Sequence, residues 1–290
     1  MEIRVLKYFL MVAREENITR AAELLHITQP TLSRQMMQLE EELGTKLFRR
    51  DNHSIRLTED GMLLKRRAQE LVALADKTEQ EFRHGEEQLS GSIAIGSGET
   101  NSVQVLAEII RQFQEKYPLV QYDLYTATAD DIKDRLDKGL LDIGLLTEPV
   151  DIMKYNFVRL KQKERWGVLV RRDSELAKKE SVRPEDLLDV PVFLAQRALV
   201  KNEIEGWFGD YYERIRIAGT YNLLNNAAVM VRNHIGVAFC FELHSRYDDL
   251  TYIPLTPQME TGAVIVWKKA QIVSRTIYQF LNFVKEIQKK

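Results

Sequence analysis

The chain has 290 residues, 44% of them hydrophobic and 29% charged, with a formal net charge of −2. That length calls for two or three compact units, and the near-neutral balance excludes a molecule that is basic all over, so any contact with nucleic acid must come from local placement of Lys and Arg. The one cysteine, Cys240, excludes a disulfide framework; it lies in the apolar run Val237-Ala238-Phe239-Cys240-Phe241 and reads as a core residue in a reducing compartment.

No apolar run approaches the roughly 18 residues of a membrane span. Tyr8 to Ala13 is apolar but short, and Arg14, Glu15 and Glu16 follow where a signal peptide would carry small residues, so the expected location is the cytoplasm. His26, His53, His84, His234 and His244 show no metal-ligand spacing. No nucleophile elbow or phosphate-binding Gly loop is present. No cofactor, metal or catalytic residue is expected.

Residues 3 to 13 set Ile3, Leu6, Phe9, Leu10 and Ala13 on one helical face. Asn17 suits the N-cap of a second helix, with Ile18, Ala21, Ala22 and Leu25 at helical spacing. Thr28 suits the N-cap of a third, with Gln29 and Pro30 in its first turn, where a missing N–H costs nothing. Leu32, Met36, Leu39 and Leu43 form its buried stripe. The opposite arc gathers Pro30, Thr31, Ser33, Arg34, Met37 and Gln38. That arc is rich in hydrogen-bonding groups, as a helix entering the DNA major groove requires. The break between the second and third helices is then the turn of a helix-turn-helix; taken alone, it also suits a plain helical hairpin. Lys46 to Arg50 and Ile55 to Thr58 read as two short strands around Asp51-Asn52-His53-Ser54. Phe48, Ile55 and Leu57 would face the helices. Lys46, Arg49, Arg50 and Arg56 would point outward, as a wing against the phosphate backbone.

These segments resemble the LysR-type transcriptional regulators. The resemblance runs through Phe9 to Ala13, Ala21-Ala22-Glu23-Leu24-Leu25, and Gln29-Pro30-Thr31-Leu32-Ser33-Arg34-Gln35-Met36. It continues through Leu39-Glu40-Glu41-Glu42-Leu43-Gly44, Leu47-Phe48-Arg49-Arg50 and Leu57-Thr58-Glu59-Asp60-Gly61. Met36 replaces the usual branched aliphatic, a tolerated core exchange. The resemblance implies that Gln29, Pro30, Thr31, Ser33, Arg34 and Gln35 read double-stranded DNA and that Arg49, Arg50 and Arg56 touch its backbone. Thr28 and Gln38 join the expected DNA-binding set because they border that arc.

Thr58 suits the cap of a long linker helix, with Glu59 and Asp60 complementing its dipole. Leu64, Ala68, Leu71, Ala75, Thr78 and Phe82 then recur at the coiled-coil period, out to about Gln88. This stripe is the expected dimerisation seam; packing against its own chain is the other reading. A dimer would present two recognition helices to a two-fold DNA site, an imperfect inverted repeat. By resemblance, dimers associate into tetramers.

After Leu89-Ser90-Gly91-Ser92 the pattern changes to alternating strands and helices, which implies a parallel sheet. Strands are expected at Ile93 to Gly96, Gln121 to Thr126, Asp142 to Leu146, Gly167 to Val170, Val192 to Ala195, Arg214 to Ala218, Gly236 to Phe241 and Gly262 to Trp267. Helices are expected between them, with Pro184 to Leu188 and Asn202 to Tyr212 among them and Ile272 to Lys285 last. The resemblance implies two subdomains like those of type 2 periplasmic binding proteins, crossed near Leu160 to Trp166 and Ala263 to Lys268.

The expected fold is therefore α/β overall. A winged helix-turn-helix spans 1–58 and a linker helix 59–88. A two-subdomain effector-binding region spans 91–290, with subdomain I at 91–161 and 268–290 and subdomain II at 162–267. Ligands in such sheets sit beyond strand C-termini, near helix N-termini. Ser97, Thr100, Asn101, Ser102, Thr128, Thr147, Gln196 and Tyr221 are the expected effector residues, for a small anion such as a carboxylate. Each Ser and Thr here serves equally well as a helix N-cap. Glu99 would oppose an anion, which leaves a polar or cationic effector open; Arg197 would supply a counter-charge or lie on the surface.

The expected function is a sequence-specific transcriptional regulator modulated by a small-molecule effector, and by resemblance one that contacts RNA polymerase. A solute receptor would explain only residues 91–290. An enzyme with a fused DNA-binding module would need catalytic residues, and none stands out.

Overall fold

The computed structural model describes residues 1–51, 54–82, 89–243, 247–269 and 273–289. Asn52, His53, His84, His244 and the expected helix end at Gln88 lie outside the described residues, as do the side chains of Arg50 and Phe82. The chain forms two compact units, Met1–His84 and Gly85–Lys290.

The first unit contains α1 (Ile3–Glu15), α2 (Ile18–Leu24), α3 (Gln29–Leu43), the antiparallel strands β1 (Phe48–Asp51) and β2 (Ser54–Leu57), and α4 (Glu59–Phe82). Leu6, Phe9 and Val12 of α1 meet Ala21 and Ala22 of α2 and Leu32, Met36 and Leu39 of α3 in one core. The two alanines let the helices approach closely. Burial of each large side chain contributes roughly 1.5–3 kcal/mol. Asn17 caps α2 by accepting the Arg20 N–H at 3.1 Å. Thr28 precedes α3 in extended conformation, but its hydroxyl pairs with that of Thr31 at 2.8 Å rather than capping a backbone N–H. Gly44, at φ 67°, ends α3 in the left-handed region that glycine adopts freely.

Two residues of the acidic run and the following turn tie the wing to the helices. Glu40 is nearly buried and accepts the N–H groups of Leu47 at 2.8 Å and Phe48 at 3.2 Å, while Lys46 reaches it at 2.7 Å. Thr58 caps α4 by accepting the Gly61 N–H at 3.0 Å. A Cβ on Gly61 would stand 2.1 Å from the Leu47 carbonyl oxygen, so only glycine fits there.

The linker helix corrects the expected seam. Ala68 is fully buried in the core of its own winged unit, and Leu64 and Val72 pack beside it. Lys7 of α1 also holds Asp76 at 2.7 Å. At 100° per residue, Leu64, Ala68 and Val72 share the face turned to α1. Leu63, Leu71 and Leu74 are exposed on a face rotated from it. The 3.5-residue period thus mixes two faces: the Leu64 and Ala68 end serves the chain's own core.

In the second unit, β3 (Ser90–Ser97), β4 (Leu119–Thr126), β5 (Ile143–Thr147), β11 (Glu260–Lys268) and the first part of β6 (Tyr155–Arg171) form one sheet, in order β4-β3-β5-β11-β6. α5 (Val103–Lys116), α6 (Ala129–Asp137) and α9 (Arg275–Lys289) belong with it. Ile93, Ile95, Phe113, Ile265 and Phe280 lie in its core. The last part of β6 continues into a second sheet with β7 (Val192–Ala195), β8 (Ile217–Tyr221), β9 (Val237–Phe241) and β10 (Leu250–Pro254). α7 (Ala198–Phe208) and α8 (Leu224–Arg232) accompany that sheet, whose core includes Val168, Val192, Phe208 and Phe239.

β6 crosses between the halves where the Arg165 to Glu260 pairing gives way to Trp166 against Phe241. The return crossing precedes Ala263, because Ala263 to Val266 already pair with β5. Residues 263–267 therefore belong to the first sheet, not to subdomain II as expected. Pro184–Leu187 and Gly209–Arg214 are short 3₁₀ turns, and β10 is a strand that the alternation did not reveal. Among the described residues no helix is long and apolar enough to cross a membrane.

Candidate functional site

α3 presents a polar arc because Leu32, Met36 and Leu39 anchor its other side. Thr28, Gln29, Pro30, Thr31, Arg34 and Gln38 are exposed, and Ser33 and Gln35 are half-buried. The Gln35 side-chain amide donates to the Gln38 carbonyl oxygen at 3.2 Å, which aligns both on one ridge. In the wing, Arg49 lies directly opposite Arg56 across the hairpin, and both are exposed. Like charges in that position repel, so a polyanion on this surface would relieve the pair. Lys46, by contrast, is held by Glu40.

A second site lies between the two sheets of the second unit. It is a cleft of about 690 Å³, within the usual range for small ligands. Thr100, Thr128, Thr147, Gln196 and Tyr221 line it, together with Glu99, Arg197 and Asn222. Its wall is largely apolar: Trp166, Val200, Leu223, Leu224, Cys240, Phe241 and Leu243. Those residues escaped a reading that looked for polar groups at strand ends. The one available signal was the apolar run around Cys240. Trp166 is oriented by its indole N–H, which donates to Thr261 at 2.8 Å, and its ring stands 4.1 Å from that of Phe241.

Ser97, Asn101 and Ser102 do not line the cleft. The carbonyl of Ser97 accepts the Ala127 N–H at 3.1 Å. The N–H groups of Asn101 and Ser102 donate to the carboxylate of Glu164 at 2.9 and 2.7 Å, and the Ser102 hydroxyl donates to it as well. Nothing in the local sequence marks Glu164, which arrives from the crossing strand more than sixty residues later. Thr128 is the N-cap of α6, accepting the Asp131 N–H at 3.3 Å. The Tyr221 hydroxyl donates to the Phe239 carbonyl at 2.7 Å. Burial drives the Tyr221 phenol well above its ordinary pKa and pushes the Cys240 thiol up to about 12, so neither ionises near neutral pH. The Thr100 hydroxyl oxygen is buried without a hydrogen-bond partner, a group that a ligand or water would satisfy.

Arg197 spans the cleft rather than lying free on the surface. It donates to the carbonyls of Thr147 at 3.2 Å and Pro149 at 2.7 Å, and stands 3.6 Å from Asp130. Burial lowers its pKa, partly offset by Asp130. From the other side, Glu99 accepts the N–H of Leu224, the first residue of α8. Among the described residues no group of His, Cys, Asp and Glu is arranged to hold a metal ion.

Two family models match this chain: the bacterial regulatory helix-turn-helix of the lysR family over residues 3–62, and the LysR substrate binding domain over 86–289. The chain is 32% identical to the uncharacterised HTH-type transcriptional regulator YybE of Bacillus subtilis, covering 98% of both chains. It is 31% identical to the HTH-type transcriptional regulator IlvY of Escherichia coli, over 72% of this chain and 70% of that one. Its fold matches that of CbnR, solved in full length with its target DNA, with a TM-score of 0.79, 22% identity and 99% coverage of each chain. With a lysR-type helix-turn-helix ahead of a substrate-binding domain, the chain belongs to the LysR family and is a DNA-binding transcriptional regulator with a C-terminal effector-binding domain, not an enzyme.

Proposed function

We propose that the exposed arc of α3, centred on Arg34, reads base edges in the major groove, and that the wing arginines hold the phosphate backbone. The exposed, hydrogen-bonding composition of that arc carries the reading, and the opposed Arg49 and Arg56 support it. Arg and Gln side chains form the bidentate base contacts that discriminate sequence. Two copies pair through the exposed leucines of α4, and the pair engages an imperfect inverted repeat; pairs join into tetramers. The protein works in the cytoplasm. A small molecule in the cleft shifts the balance between two arrangements of the subdomains, and so the affinity for DNA or the contact with RNA polymerase. It does so only if it prefers one arrangement.

Selection of genomic DNA fragments in vitro with the purified full chain, with Arg34→Ala alongside, tests the assignment. An enriched two-fold site that disappears in the variant is the expected result. Equal enrichment by both proteins would remove α3 from the reading role. The genes beside the site then narrow the effector's chemistry.

A further inference from the structure

Four helices begin at or beside the cleft, and a helix N-terminus attracts an anion through its free N–H groups and its dipole. In this chain those ends are already served. Glu164 is fully buried and receives two N–H groups and a hydroxyl at the start of α5. Glu99 receives the first N–H of α8. Asp130 and Asp131 occupy the first turn of α6. The cation that lines the cleft, Arg197, stands at the start of α7 with its donors turned to the carbonyls of Thr147 and Pro149. An incoming carboxylate would therefore meet carboxylates already in place and a guanidinium already engaged. What the cleft offers instead is an apolar wall and the unpartnered hydroxyl of Thr100.

We propose that Glu164 and Glu99 act as built-in anions at the cleft, so that the effector of this chain is a largely apolar molecule without negative charge, with a hydroxyl or carbonyl to meet Thr100. Both glutamates are then specificity-determining residues. Glu164 fills the α5 end permanently from the crossing strand. Glu99 does the same for α8 across the cleft. The inference rests on reading the cleft as the effector site.

The test is the melting temperature of the full-length protein in sodium formate, acetate or benzoate, against sodium chloride of equal ionic strength. Wild type should show no saturable rise with any of the three. Glu164→Ala, which vacates the α5 end, should melt lower and regain about 3 °C or more, saturably, in formate or acetate. A saturable rise in wild type overturns the proposal, because an anion site would then be open. A folded Glu164→Ala chain that gains nothing also overturns it. Should that variant not fold, Glu164→Gln decides: a melting temperature equal to wild type would show that the negative charge is dispensable. The measurement uses neither DNA nor effector, so its failure and a failed DNA selection are separate results.

Discussion

Arg197 and Pro149 meet across the effector cleft, the guanidinium N–H donating to the proline carbonyl at 2.7 Å. One residue thereby bridges the two sheets, with the Thr147 carbonyl and Asp130 as further partners. Arg197→Ala removes the bridge and leaves the carbonyls to water. It should lower stability by about 1–3 kcal/mol, read as a shift of the urea midpoint. An unchanged midpoint would show that the bridge contributes nothing to holding the halves together.

Arg34→Ala should reduce binding to the selected DNA site by about 1–3 kcal/mol, with normal folding. The change is expected in specific affinity, while binding to unrelated DNA stays close to wild type. Fluorescence anisotropy on the two DNAs measures the ratio. Equal loss on both would make Arg34 a backbone contact.

Glu40 makes the winged unit sensitive to acid. Burial alone would raise its pKa, but the bonds from Lys46, Leu47 and Phe48 outweigh that and hold it below 4.5. A lowered folded-state pKa contributes stability that is full above the unfolded value and is lost as pH falls through the folded one. Glu40→Gln should therefore cost stability at neutral pH and lessen its fall below about pH 4.5. Urea midpoints of both proteins across that range measure it; parallel curves would exclude Glu40 as the cause.

Gly61→Ala tests how the linker helix joins the wing. Its Cβ would press on the Leu47 carbonyl oxygen, which is backbone and cannot swing away. A loss of about 1–3 kcal/mol is expected from the forced shift, although alanine favours helix more than glycine does. A gain in thermal stability would mean that α4 moves there at little cost.

Leu71→Asp and Leu74→Asp place a charge on the exposed face of α4. Both should weaken dimers in sedimentation equilibrium, since a charge in an apolar contact loses its hydration. Ala68→Asp should instead unfold the winged unit, because Ala68 is buried within it. Dimers unaffected by either leucine change would move the pairing surface elsewhere.

The helix-turn-helix was legible in the sequence because its information is local. Apolar spacing sets α1 to α3, Asn17 caps α2, and the polar arc of α3 follows from 3.6 residues per turn. The cleft was legible only in part. Thr100, Thr128, Thr147, Gln196 and Tyr221 stand at strand ends, where the alternation of strands and helices already places a ligand. Which face of α4 turns inward was beyond the period itself: a 3.5-residue repeat fits either a partner or the chain's own α1, and only packing chooses between them. The same holds for the chemistry of the cleft. Glu164 reaches Ser102, Glu99 reaches Leu224, and Arg197 reaches Pro149 from positions far apart in the chain. No spacing rule relates such residues. The tertiary fold brings each carboxylate to a helix end and thereby decides which ligand charge the cleft accepts.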